Sequence, residues 1–252
     1  MIPAQFGARA ARRLRTLLHA LCLMSTAFTL PSLAFGQSGI EQVQYEEVEV
    51  LDITKIDFSG YSAGHYAKVM PGFMVSFGER FAGQTVFSAE GPKGLPHDKI
   101  GFQKPDAPLT LLSGKSDQNV VIENDGDLGS RAILPVGPLG SGSKGGRGEG
   151  SLAIKFDKLQ CAIGFRTFLD GGIYSRPQGR QPNVKVSFFT YDAGLIGTIP
   201  IERTEKGIYY FAFRQTGGMD PVISGLLIEN MDREGIVLDD LIFAEDCVPA
   251  LS

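Results

Sequence analysis

Tryptophan is missing from this sequence altogether, and histidine and cysteine occur three times each. Without tryptophan, a sugar-binding surface lacks the ring with the largest stacking area and must rely on smaller aromatics. Past residue 36 only His65 and His97 remain, too few for a three-histidine zinc centre, and no HExxH is present. No CxxC pair suggests a redox or zinc site, and no GxSxG sits at a strand-to-helix turn as an α/β-hydrolase nucleophile would require. Two carboxylates are easy to find among 28 acids, but without distances none can be assigned as acid or base. After Leu30 no apolar run is long enough to span a membrane, and no long 3.6-residue apolar period suggests a substantial helix.

What is present begins with a leader. Arg9, Arg12, Arg13 and Arg15 precede the apolar run LLHALCLMSTAFTL, and SLAFG supplies small residues before Gln37. This is the layout of a secretory signal peptide covering 1–36. The expectation is an exported chain, periplasmic or extracellular, with one domain over 37–252 and no stable membrane anchor. That portion carries 20 basic and 28 acidic residues, a net charge of −8. Such a balance argues against nucleic acid and anionic membranes as partners and is compatible with divalent cations. It retains two cysteines, Cys161 and Cys247. An even count in an exported chain implies one disulfide, the alternative being two buried thiols. The sequence carries no signal for an oligomeric state.

Short β-branched or aromatic runs recur between glycines and prolines: 48–58, 73–78, 84–88, 109–113, 119–123, 151–156, 160–168, 184–192, 195–201, 208–214, 222–230 and 235–243. They predict an all-β chain, an antiparallel β-sandwich of jelly-roll type. Asp192-Ala193-Gly194 reads as a hairpin turn with Gly194 at positive φ, and MDREG joins the last two strands. Residues 89–108 read as loop, and SGSKGGRGEG at 141–150 as a flexible one.

The order FGERFAGQTV, GEGSLAIKFDKLQCAIGFRTF, VKVSFFTYDAGLIGTIPI, YYFAFRQTGG and ISGLLIENMDREGIVLDDLIF resembles the β-sandwich domains of exported bacterial proteins, including those with a PEP-CTERM sorting tail. More distantly it is similar to jelly-roll carbohydrate-binding modules. The resemblance spans about residues 73–243 and implies fold more than function. After Phe243 the chain has no Pro-Glu-Pro motif, apolar anchor or basic tail, which points away from sorting to a surface.

GIVLDDLIF places two acids inside an apolar strand, so strict alternation would send one of them toward the core. The resemblance implies a calcium ion held by Asp239 or Asp240, with Glu79 and Asp57 as co-ligands. The other resolution is an ion pair with Arg80, Arg166 or Arg214, or hydrogen bonds from backbone N–H groups. For ligand binding, Tyr61, His65 and Tyr66 in GYSAGHYAK and Tyr174, Arg176 and Arg180 in GGIYSRPQGR are the expected groups, being aromatic or polar and placed in loops. Tyr209 and Tyr210 read as packing residues. The function expected is non-catalytic binding of a glycan or another envelope component. The alternatives are a structural matrix protein with protein partners and a polysaccharide-active enzyme.

Overall fold

Apolar side chains at every second position need a second apolar surface to cover them, and here two sheets cover each other. The computed structural model describes residues 39–247 apart from 92–93, 102, 172–174, 177–178, 181 and 218–219, with backbone alone at 175–180. The leader expected over 1–36 lies outside the described residues. Gly36–Ser252 form one compact unit. No helix among the described residues is long and apolar enough to cross a membrane.

The elements run β1 (Gly39–Val43), α1 (Tyr45–Glu49), β2 (Ile53–Ile56), β3 (Gly64–Tyr66), β4 (Met70–Pro71), β5 (Val75–Gly78), β6 (Arg80–Phe81), β7 (Val86–Glu90), β8 (Pro96–Ile100), β9 (Leu111–Leu112) and β10 (Val120–Asp125). They continue as β11 (Ser130–Pro135), β12 (Leu152–Gln160), β13 (Ala162–Leu169), β14 (Ser175–Arg176), β15 (Gly179–Arg180), β16 (Val184–Phe189), β17 (Leu195–Ile201), β18 (Gly207–Thr216), β19 (Ile223–Asn230) and β20 (Val237–Ala244). One sheet has the order β1-β18-β13-β20-β11-β10-β3, with β2 on a second stretch of β20, and the other has the order β17-β16-β19-β12-β5-β4. The pairings are antiparallel. The chain crosses between sheets at β12–β13, β17–β18, β18–β19 and β19–β20, as an antiparallel sandwich of jelly-roll type does.

The core lies between these sheets. Ile122, Phe165, Phe213, Leu238 and Phe243 from one meet Phe77, Phe156, Val186, Phe188 and Ile228 from the other. Phe156 meets Phe243 at 5.0 Å and Phe188 meets Phe213 at 5.1 Å between ring centroids. Phenylalanine thus fills the role that tryptophan would otherwise share, each buried ring contributing about 1.5–3 kcal/mol. Cys161 and Cys247 form a disulfide with Cα atoms 5.6 Å apart. It sits beside a smaller cluster in which Tyr45, Val48 and Leu51 cover the outer face of the first sheet around Ala162 and Ile242.

Several segments differ from the sequence reading. The run 48–58 divides into the end of α1 and the strand β2, because Tyr45 and Val48 bury one side of a helical turn. The loop-like stretch 89–108 contains β8, which pairs with β7 from Val86↔Ile100 to Glu90↔Pro96. In the turn at 192–194 it is Ala193, not Gly194, that has positive φ, at 58°. The glycine-rich stretch 141–150 packs closely: a Cβ on Gly146 would meet the Gly140 carbonyl oxygen at 2.4 Å, and one on Gly150 would meet Val136 backbone at 2.7 Å. Its glycines permit backbone contact rather than slack.

β20 answers the puzzle of its two acids. Arg166 on β13 faces Asp239 and Gly164 faces Ile242, so Asp240 and Leu241 together oppose Phe165. This is a β-bulge, and Asp240 takes φ 47° to form it. The extra residue shifts the alternation by one. Leu238 and Leu241 both point into the core, while Asp239 and Asp240 are both released to the outer face.

Candidate functional site

The acids singled out in the sequence fall into two separate clusters. Asp57, Asp239 and Asp240 line one depression of about 440 Å³, and Glu79 lines another of about 390 Å³. The four therefore do not form a single calcium set. Among the described residues no group of three or more His, Cys, Asp or Glu is arranged to hold a metal ion.

In the first cluster, β20 changes its neighbour on one edge from β11, through Ile133↔Leu238, to β2, through Ile56↔Leu241. The bulge sits at this junction. Asp239 accepts hydrogen bonds from Arg166 Nη2 at 2.6 Å and Ser130 Oγ at 2.5 Å. Asp240 meets Arg166 Nε at 3.1 Å and Lys55 Nζ at 3.0 Å. Burial opposes the Arg166 charge, but the Asp239 hydrogen bond and the Asp240 charge outweigh it and hold its pKa above the ordinary value. Tyr45 closes the cluster by donating to the Asp240 carbonyl at 2.9 Å. Its hydroxyl is pushed up, first by burial and then by Asp240. Asp57 caps the next turn, accepting from the Ser59 N–H at 3.0 Å and Oγ at 2.8 Å, and these bonds lower its pKa. Of the three arginines considered from sequence, Arg166 takes the paired acids, Arg80 takes Glu79 and Arg214 takes Glu41.

The second cluster is built by three neighbouring pieces of chain. The β6–β9 pairing carries Glu79 to one wall, where its N–H donates to the Leu112 carbonyl at 3.0 Å. The β7–β8 hairpin supplies the opposite wall, with Ser88 facing Asp98 and Phe87 facing Lys99 in register. The turn at 113–118 brings Gly114, Lys115 and Gln118 to the mouth. Gly114 leaves room for the acid, since a Cβ there would meet Glu79 Oε1 at 2.5 Å and the Gln118 carbonyl oxygen at 1.5 Å.

Glu79 and Asp98 are both buried, each about 4% exposed. Ser151 joins them: its N–H donates to Asp98 Oδ2 at 3.2 Å and its Oγ to the Glu79 carbonyl at 2.9 Å. Glu79 is also paired with Arg80, which reaches on to the Ser113 carbonyl at 3.3 Å. Burial raises the Glu79 pKa, with Arg80 opposing. Among the described residues Asp98 has no such cationic partner. Burial, followed by the Glu79 charge, pushes it up to about 7, against the Ser151 hydrogen bond and the more distant Lys115 and Arg80. Phe87 stands half exposed on the wall, with Lys99 Nζ 6.0 Å from its ring centroid.

The sequence-expected binding residues are dispersed. Tyr61 and Tyr66 pack against the main core. The Tyr61 hydroxyl accepts from the Phe73 N–H at 3.2 Å, and that of Tyr66 donates to the Ser62 carbonyl at 2.9 Å. His65 lines a shallow depression with Glu123 and Arg147. Tyr174 lies outside the described residues, as do the side chains of Arg176 and Arg180, whose backbones belong to the short β14–β15 pairing. Tyr209 packs against the core, whereas Tyr210 is 52% exposed on the outer face.

Asp98 escapes the sequence reading because 89–108 reads as loop, while Phe87, in the expected strand 84–88, and Lys115, just past the run 109–113, carry no local signal of a site. The available signal was QTVFS as a first strand followed by the turn-forming GPKGL, which makes PHDKI the second arm of a hairpin.

No protein family matches the chain, and no curated protein matches it. Among solved structures, two variants of a family 29 carbohydrate-binding module are similar in fold. One is 11% identical, with TM-score 0.30, covering 79% of this chain and 99% of its own. The other is 12% identical, with TM-score 0.27, covering 71% of this chain and 97% of its own. Likeness this weak identifies no binding residue here.

Proposed function

We propose that this protein is an exported, non-catalytic glycan-binding module and that the Glu79–Asp98 depression is its site. The observation that carries this reading is an aromatic wall beside two buried carboxyl groups at one opening. Saccharides offer apolar C–H faces for a ring and hydroxyls for directional hydrogen bonds. Phe87 supplies the first contact, and Asp98, Glu79, Gln84, Gln118 and Lys115 supply the second. The rigid sandwich keeps these groups in place at low entropic cost.

Calorimetry against a glycan panel tests the reading. Phe87→Ala is expected to weaken binding about tenfold or more, the loss of one stacked ring. Ser88→Trp, which fills the depression from an exposed position, should abolish binding while leaving the thermal midpoint near wild type. Unchanged affinity in both variants would remove this site from consideration. Calcium, expected from the sequence, is tested apart from this site, since no group of three or more described acids is arranged to hold it: a higher melting midpoint in calcium than in chelator supports a bound ion, and an unchanged midpoint removes it.

A second reading, a polysaccharide-active enzyme, is favoured by one observation. Two neighbouring carboxyl groups with unequal environments are the arrangement an acid–base pair uses. Release of reducing ends from a bound polysaccharide, abolished in Glu79→Gln, would establish it over the non-catalytic reading.

A further inference from the structure

Resting on the glycan-binding reading, we infer that the ligand is an acidic glycan, one carrying carboxylate groups, and that Asp98 recognises it as a hydrogen-bond donor in its protonated form while Lys115 supplies the counter-charge. Three features of the depression lead there. The first is the geometry of Asp98. One oxygen accepts from Ser151 N–H, so a proton on the acid belongs on the other oxygen. The residue lines the depression while being 4% exposed. A buried acid that is not ionised acts as a donor, and the ligand atom that meets it must be an acceptor.

The second is the balance of charge. Glu79 is matched by Arg80. Lys115 forms no salt bridge among the described residues, yet its charge acts on both acids. Lys99, over the Phe87 ring, likewise has no carboxylate partner among the described residues. With Asp98 neutral and Glu79 matched by Arg80, the lining of the site presents one unmatched lysine, Lys115. This stands against a net charge of −8 over residues 37–252. A local positive opening on an acidic protein draws an anionic ligand to that opening.

The third is the surroundings of Asp98. Glu79 and Arg80 face it from the β5–β6 link and Lys115 from the turn at 113–118. The Glu149–Ser151 segment faces it from the approach to β12, with the Asp98 N–H donating to the Glu149 carbonyl at 2.9 Å. His97 and Lys99 flank it on β8. The Glu79 charge and burial favour the protonated acid, and its position near neutrality is the supporting sign. An anionic ligand oxygen strengthens that preference, since an ionised Asp98 would repel it.

The experiment is calorimetry on the full domain with a polyuronate oligosaccharide and a neutral hexose oligosaccharide of equal length, at about pH 5.5 and about pH 8.5, with Lys115→Gln and Asp98→Asn. The uronate should bind at the lower pH and weaken about tenfold or more at the higher. Asp98→Asn, which keeps an N–H donor and cannot ionise, should bind with little pH dependence. Lys115→Gln, at an exposed position, should weaken the uronate about tenfold and flatten its dependence on salt. Equal binding of the neutral oligosaccharide, or uronate binding independent of pH and of Lys115, would overturn the inference while leaving the glycan-binding reading intact. Failure of both oligosaccharides to bind would overturn both.

Discussion

Two places in this sandwich hold a pair of acids, and the protein treats them differently. Asp239 and Asp240 meet Arg166, Lys55 and Ser130, so nearly every charge has an opposite. Among the described residues, Glu79 and Asp98 share one paired cation, Arg80, and Asp98 accepts from one backbone donor, Ser151. The first cluster lies at a junction between three strands and fastens them. The second opens to solvent beside a half-exposed ring. Matched buried charges belong to architecture. An acid kept buried without a matching cation costs stability, and such a cost is the mark of a site used for something else.

The sharpest way to break this contrast is Arg166→Leu. It leaves Asp239, 1% exposed, without its cation, and a loss of about 3–5 kcal/mol is expected in urea unfolding. A loss below about 1 kcal/mol would mean that the pair is not structural. Next is the bridge. Replacing Cys161 and Cys247 together by alanine opens a loop with a sequence separation of 86, and about 2–4 kcal/mol should be lost. Mass analysis of native protein without reductant should show no free thiol.

Asp98→Asn is expected to act in the opposite direction. The folded pKa, about 7, lies above the ordinary 3.8, so ionisation disfavours the folded state. The penalty is absent below the unfolded pKa, grows as pH rises between the two values and is complete above the folded one. The variant should therefore match wild type near pH 4 and exceed it by about 1–3 kcal/mol near pH 8. A stability gain independent of pH would show that Asp98 does not titrate in that window. The smallest effect is Tyr45→Phe, which removes one hydrogen bond to the Asp240 carbonyl and should cost about 1 kcal/mol, measured by thermal melting.

The contrast between the clusters also shows how far the sequence could be read. Arg166 was among the partners considered for Asp239 and Asp240, because a buried acid demands a cation. Its selection over Arg80 and Arg214 depends on β13 lying beside β20, which pairs residues 73 positions apart. The sequence pairs Glu79 with the acids of the last strand, whereas its neighbours in the structure are Arg80 and Asp98 on β8. Asp98 has no local signal, since PHDKI lacks a strand-like composition. β8 exists because β7 pairs with it and Ser151 binds its acid.

Alternation of apolar residues, the turn-forming glycines and prolines, and two cysteines determined an antiparallel sandwich with a cross-link, because each depends on chemistry carried within a few residues. The bulge at Asp240, the conversion of an apparent loop into β8 and the division of the acids into a matched and an unmatched pair were decided by the tertiary structure. The physical reason is that the free energy of a buried charge depends on which distant groups come within a few ångströms of it, and only the packed chain sets those distances.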